Sequence, residues 1–236
     1  MNGARERSSR GAAVSRRTFL RSTAGAAAVG AAAGCLGGIG GEESPTVLSE
    51  PDRQYDSDEL PYPAWGERVP DVTVPAALSD RDVATRAVSQ PALYTFFYSH
   101  CNTVCPVLIS TMRNVQTHAV NEGYADEVRL LPVTFDPERD TADRLRTYAD
   151  EMNVDAADDG WTFLRPADPE RAEAVVTDAF GVSFGRTHPE DMEMYMFSHA
   201  PMTYLVNGDG YVERAYRSKA PNEDQILDDL AAVREA

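Results

Sequence analysis

The chain has 236 residues, 22 basic and 38 acidic, with a formal net charge of −16 at pH 7. That is length for one domain with a sizeable core plus flanking segments. The first 34 residues hold six arginines and one acid. The remainder therefore carries 16 basic against 37 acidic groups, a balance that excludes nucleic-acid binding as the default role. Lys219 is the sole lysine, and so acidic and lysine-poor a surface resembles those that keep proteins soluble at high salt.

Residues 1–34 read as an export signal. Ser15-Arg16-Arg17-Thr18-Phe19-Leu20 is a twin-arginine pattern. The Ala/Gly-rich run Thr23–Gly34 that follows is too short and too weakly apolar to span a membrane. It ends at Ala32-Ala33-Gly34-Cys35, which resembles a lipoprotein cleavage box and makes Cys35 the expected lipidation site. With Cys35 assigned to an anchor, the other two cysteines form one pair. Residues 35–68 are Gly-rich at first, then rich in proline and acids. They read as a flexible tether, with Tyr62 and Trp65 near its end able to dock on the domain.

The folded domain is expected over residues 69–236. Val72–Val74 is a candidate edge strand and Ser79–Val88 a short helix or turn. The apolar run Ala92–Tyr98 reads as a buried strand. After it, Leu108, Met112, Val115 and Ala119 mark a helix expected from Cys101 to about Glu122. Between them lies Phe96-Phe97-Tyr98-Ser99-His100-Cys101-Asn102-Thr103-Val104-Cys105-Pro106. Cys101 and Cys105 are an i, i+4 pair, which on a helix puts both sulfurs on one face of its first turn. A helix N-terminus favours the thiolate. Two thiolates side by side suit a soft ion, Cu(I) above all. The same pair, with Cα atoms roughly 6 Å apart, can also close a disulfide, or serve as two buried structural thiols.

Val128–Phe135 is a second buried strand, followed by a helix with Leu145, Tyr148, Ala149 and Met152 on one face. Trp161–Leu164 is a candidate short strand. Asp168-Pro169 gives an N-cap and first-turn signal for a helix that buries Ala172, Val175, Val176, Ala179 and Phe180 and ends at Gly181. Pro201–Val206 and Tyr211–Tyr216 flank Asn207-Gly208-Asp209-Gly210 as a hairpin. Glu223–Val233 is a closing amphipathic helix. Strands alternating with helices, then a hairpin and a last helix, describe an α/β thioredoxin-like fold: a central mixed sheet flanked by helices.

Three motifs resemble the Sco/SenC/PrrC family of copper-binding assembly factors for cytochrome oxidase, and the acidic composition suggests a haloarchaeal member. The motifs are the aromatic-led Cys101–Cys105–Pro106 run; Val133-Thr134-Phe135-Asp136-Pro137-Glu138-Arg139-Asp140-Thr141; and His199 ahead of the apolar stretch Met202–Val206 and the Asn-Gly-Asp-Gly turn. The resemblance implies copper, as Cu(I) or Cu(II), on Cys101, Cys105 and His199, with Asp136 orienting a ligand, tuning a thiol or capping its loop. His100 is expected at most beside the site, and His118 and His188 on the surface. Met192, Met194, Met196 and Met202 crowd around His199 and either form a copper entry point or simply pack.

The implied role is a monomeric, membrane-tethered metallochaperone rather than an enzyme. It would deliver copper on the outer face of the cell membrane to subunit II of a haem–copper oxidase. The alternative is a thiol–disulfide oxidoreductase that uses Cys101 and Cys105 on a partner's cysteines. Pro201, two residues after His199, resembles the proline that faces the cysteine pair in such enzymes. A thiol peroxidase is disfavoured, because no Thr/Arg pocket around a single thiolate is recognisable.

Overall fold

The computed structural model describes residues 45–236 apart from 158–159 and 191–192. The export signal and Cys35 lie outside the described residues. Among the described residues no helix is long and apolar enough to cross a membrane.

The described residues form eight strands and four α-helices: β1 (Thr73–Pro75), β2 (Asp82–Ala84), β3 (Ala92–Phe97), α1 (Val104–Glu122), β4 (Arg129–Thr134), α2 (Ala142–Met152), α3 (Pro169–Ala172), β5 (Phe184–Thr187), β6 (Met196–His199), β7 (Thr203–Val206), β8 (Val212–Tyr216) and α4 (Glu223–Arg234). The main sheet has the order β4-β3-β7-β8, with β3 parallel to β4 and antiparallel to β7. All six residues of β3 are buried, as are five of the six in β4. Both faces of the sheet are covered, which is why these strands read as unbroken apolar runs. Tyr94, Phe96, Phe97, Phe135, Phe163, Phe180 and Tyr204 form the centre of the core. The arrangement is the thioredoxin-like α/β fold expected from the order of elements.

The helix ends follow local chemistry. Thr141, Asp168 and Asn222 each accept a backbone N–H from the first turn of α2, α3 and α4. Gly123, at φ 79°, and Asn153, at φ 54°, close α1 and α2 in the left-handed region. Beyond α3, residues Glu173–Ala179 widen into a π-helical stretch that still buries Val175 and Val176.

Four sequence expectations change. The stretch 79–88, expected as a short helix or turn, contains β2 paired with β1 and then a 3-10 turn. Residues 161–164 lie beside β4 only as isolated bridges, at Leu130 to Trp161 and Val133 to Leu164. Pro132 explains the interruption. The N–H groups of Leu130 and Thr134 donate outward to Gly160 and Leu164, and Pro132, between them in the alternation, has none to give. The β5–β6 ribbon is a separate two-stranded sheet that the sequence reading did not foresee.

The fourth change concerns the tether. From Pro45 onward it packs on the domain. Glu213 of β8 is fully buried, and its carboxylate accepts the N–H groups of Val47 (2.8 Å) and Leu48 (2.9 Å). Asn207 donates to the Pro45 carbonyl, and the Trp65 indole to that of Leu48, each at 2.8 Å. Gly66 and Glu67 then pair with Val212 along the free edge of β8. Counting apolar residues misses this, because backbone hydrogen bonds to a sheet edge and to one buried carboxylate hold the segment.

Candidate metal centre

Strand β3 ends at Phe97, and the chain turns with Cys101 N–H donating to the Tyr98 carbonyl at 3.2 Å. Helix α1 begins only at Val104. Cys101 therefore sits in the turn and Cys105 alone lies in the first helical turn, not both as the spacing suggested. Pro106 is the third helical residue, where its missing N–H leaves no bond unmade.

The third member comes from the separate β5–β6 ribbon. His199 ends β6, four residues before β7. Its Nδ1–H donates to the Ala200 carbonyl at 3.2 Å, and its Nε2 lies 3.3 Å from Cys105 Sγ. The ligand atoms of Cys101, Cys105 and His199 all lie within 4.8 Å of one another. Cys105 is fully buried and Cys101 nearly so, and both are free thiols.

The two sulfurs are not equivalent. A hydrogen bond from Cys105 holds the Cys101 thiol far below its usual range, with His199 and the Thr103 hydroxyl (3.4 Å) acting in the same direction. Burial pushes Cys105 up, and the neighbouring Cys101 sulfur pushes it further. The pair is thus polarised, Cys101 toward the thiolate and Cys105 toward the protonated thiol. Burial also raises the Tyr98 phenol, to about 12, and its oxygen accepts the Phe197 N–H at 3.3 Å.

Asp136 touches no member of the trio. Its carboxylate accepts from Arg139 Nε (2.5 Å) and the Tyr195 hydroxyl (2.8 Å). The carboxylate nearest in effect to the thiols is Asp140, which sequence reasoning passed over. It is fully buried, accepts from Ser99 N–H, Ser99 Oγ and Thr134 Oγ1, and adds its charge to the causes that raise Cys105. Arg144 donates to the oxygen atoms of Ser99 from the other side. The start of the cysteine turn is therefore pinned between β4 and α2. The signal for Asp140 was its place in the strand-end motif Val133–Thr141, where Asp136 drew the functional reading instead.

The remaining candidates separate. His100 lies 3.8 Å from Asp140, outside the trio. His118 and His188 are exposed, the former bonded to the Tyr124 hydroxyl at 2.7 Å. Met202 belongs to the core, Met196 is half-buried in β6, Met194 is exposed, and Met192 lies outside the described residues. A groove of about 600 Å³ opens beside the trio, lined by Val104, Val107, Phe197, His199 and Lys219 among others. Two sulfurs and one imidazole nitrogen so close together fit a soft thiophilic ion and give a hard cation no oxygen.

Comparison with known proteins agrees. The sequence profile of the SCO1/SenC family matches residues 79–235. The SCO1 protein homolog of Bacillus subtilis is 28% identical over 138 residues, 58% of this chain and 67% of that protein. The mitochondrial SCO2 homolog of Bos taurus is 25% identical over 141 residues, 60% of this chain but only 50% of that longer protein. Among solved structures, Bradyrhizobium japonicum ScoI with copper bound superposes with a TM-score of 0.56 at 23% identity. The match covers 68% of this chain and 96% of that one, a likeness in fold.

Proposed function

The chain belongs to the SCO1/SenC family, and from that premise we propose that it is a copper-binding metallochaperone for the copper centre of a respiratory haem–copper oxidase. The observation that carries this reading is the convergence of Cys101, Cys105 and His199. Copper is the cargo. The Cys101 thiolate is ready to take it, Cys105 gives up its proton on binding, and His199 Nε2 already faces the sulfurs. The groove along Val104, Val107 and Lys219 gives an acceptor protein access to the trio, and subunit II of the oxidase is the acceptor proposed. In this reading the domain acts as a monomer.

Copper titration of the purified domain, followed by thiolate-to-Cu(II) charge-transfer absorbance, tests the assignment. Serine at either cysteine is expected to abolish tight binding. His199→Ala is expected to weaken it about 10–100-fold, the scale seen when a metal site loses support. Unchanged binding in His199→Ala would remove His199 from the ligand set.

The polarised thiol pair also supports a second reading, a thiol–disulfide oxidoreductase. A disulfide and a bound copper exclude each other, since the ion needs both sulfurs. Stopped-flow reduction of a disulfide substrate separates the two. Fast turnover in parent and His199→Ala alike, with no copper retained, would favour the enzyme.

Twin-arginine export and a lipid on Cys35 complete the proposal, placing the domain on the outer face of the membrane. The support is the Ser15–Leu20 and Ala32–Cys35 sequence. Lysine at Arg16 and Arg17 is expected to stop export. A Cys35→Ser protein still held in the membrane fraction would remove the lipid anchor.

A further inference from the structure

His199 rides on the β5–β6 ribbon, which stands apart from the main sheet. Two-stranded ribbons are marginal by themselves, so the placement of the imidazole depends on what holds the ribbon down. The imidazole's own anchor, the Ala200 carbonyl, belongs to the next residue and moves with it.

Successive odd residues of this strand share a face, and the structure uses all three. His199 packs on Phe135, with ring centroids 5.0 Å apart. Phe197 packs edge-on against Tyr98 (5.2 Å) and Phe135 (5.4 Å). Tyr195, just before β6, does something different. Its hydroxyl donates to Asp136 at 2.8 Å, and its carbonyl accepts from Arg139 at 2.9 Å. The guanidinium groups of Arg139 and Arg186 lie 3.7 and 3.9 Å from its ring centroid. Asp136 is almost fully buried and also binds Arg139. The apolar packing of Phe197 permits sliding. The Tyr195 contacts are directional and fix both ends of one residue to the loop that follows β4.

We propose that Tyr195 is the positioning residue for His199. It latches the β5–β6 ribbon to Asp136 and Arg139, so that the imidazole stands over the cysteine pair. Asp136 thus acts on the site through the ribbon, at a distance from the thiols. The part of this inference that concerns copper rests on the metallochaperone reading; the part that concerns the ribbon does not. Two sulfurs alone suit Cu(I), whereas Cu(II) draws on the imidazole, so loosening the latch weakens Cu(II) more than Cu(I).

The test uses Tyr195→Phe, which removes one hydroxyl and keeps the ring, together with Asp136→Ala, which removes its acceptor. In the metal-free protein, hydrogen exchange is read at Ala200, whose N–H donates to Ser183 across the base of the ribbon, and at Phe96 in β3. Tyr195→Phe is expected to lose at least about 10-fold of the Ala200 protection and none at Phe96. Its Cu(II) affinity is expected to fall about 10–100-fold, the range for groups that orient a ligand, with Cu(I) affinity much less affected. Asp136→Ala is expected to reproduce the Ala200 loss, and the double variant to add nothing further. Parent-like exchange at Ala200 in Tyr195→Phe would overturn the proposal. Should the parent bind no copper, the metallochaperone reading falls, and the exchange measurement still decides the role of Tyr195.

Discussion

At the level of single residues, the site is an asymmetric pair of sulfurs beside one imidazole. A free thiol ionises near pH 8.5. Cys101 is held well below that by the hydrogen bond from Cys105, while burial holds Cys105 above it. Lowering the pKa of an acid keeps its anion at lower pH. At about pH 5 the metal-free protein is therefore expected to carry one thiolate, on Cys101. Iodoacetamide with mass spectrometry checks this: Cys101 should alkylate at that pH and Cys105 should not. Equal labelling of both, or labelling of Cys105 first, would contradict the polarity. Residue types and spacing made the two cysteines legible. Their inequality was not, because it arises from the deeper burial of Cys105 and its hydrogen bond to Cys101, which spacing does not reveal. His199 was reached only through resemblance to a family, since nothing in its local sequence says that it meets residues 94 to 98 positions earlier.

Among the elements, those with a strong period or a clear stop signal were legible: β3, α1, α2 and the β7–β8 hairpin. The failures share a cause. Segments 45–68 and 161–164 are held by hydrogen bonds to sheet edges, and β5–β6 by ring packing together with the Tyr195 contacts to the loop after β4. None of these appears as hydrophobic periodicity. Gly181 shows how closely the docked segment is fitted. It has φ 67°, and a Cβ there would stand 2.2 Å from the Pro61 carbonyl oxygen. The docking itself turns on Glu213. Glu213→Ala would leave the Val47 and Leu48 amides without their acceptor and Asn207 with the Pro45 carbonyl alone, at a cost of about 1–3 kcal/mol. Proteolysis within residues 45–65 is expected to rise with the copper site untouched, and Glu213→Gln, which keeps one acceptor oxygen, should fall between. A protease-resistant Glu213→Ala protein would show that the segment is held by other means.

Across the whole molecule, the order of elements sufficed for the thioredoxin-like fold, and composition sufficed for an acidic surface. What neither conveyed is polarity. Ala92 pairs with Val206, so Asn207, which holds Pro45, lies at the opposite end of β3 from the cysteine turn. The docked segment that starts at Pro45 thus meets the domain at the end of the sheet away from the cysteine turn. The central claim is that these three residues together hold copper, and X-ray absorption spectroscopy of the copper-loaded protein addresses it directly. Two sulfurs and at least one imidazole nitrogen are expected around the copper, the nitrogen lost in His199→Ala. A shell of oxygen and nitrogen alone, or a single sulfur, would contradict it.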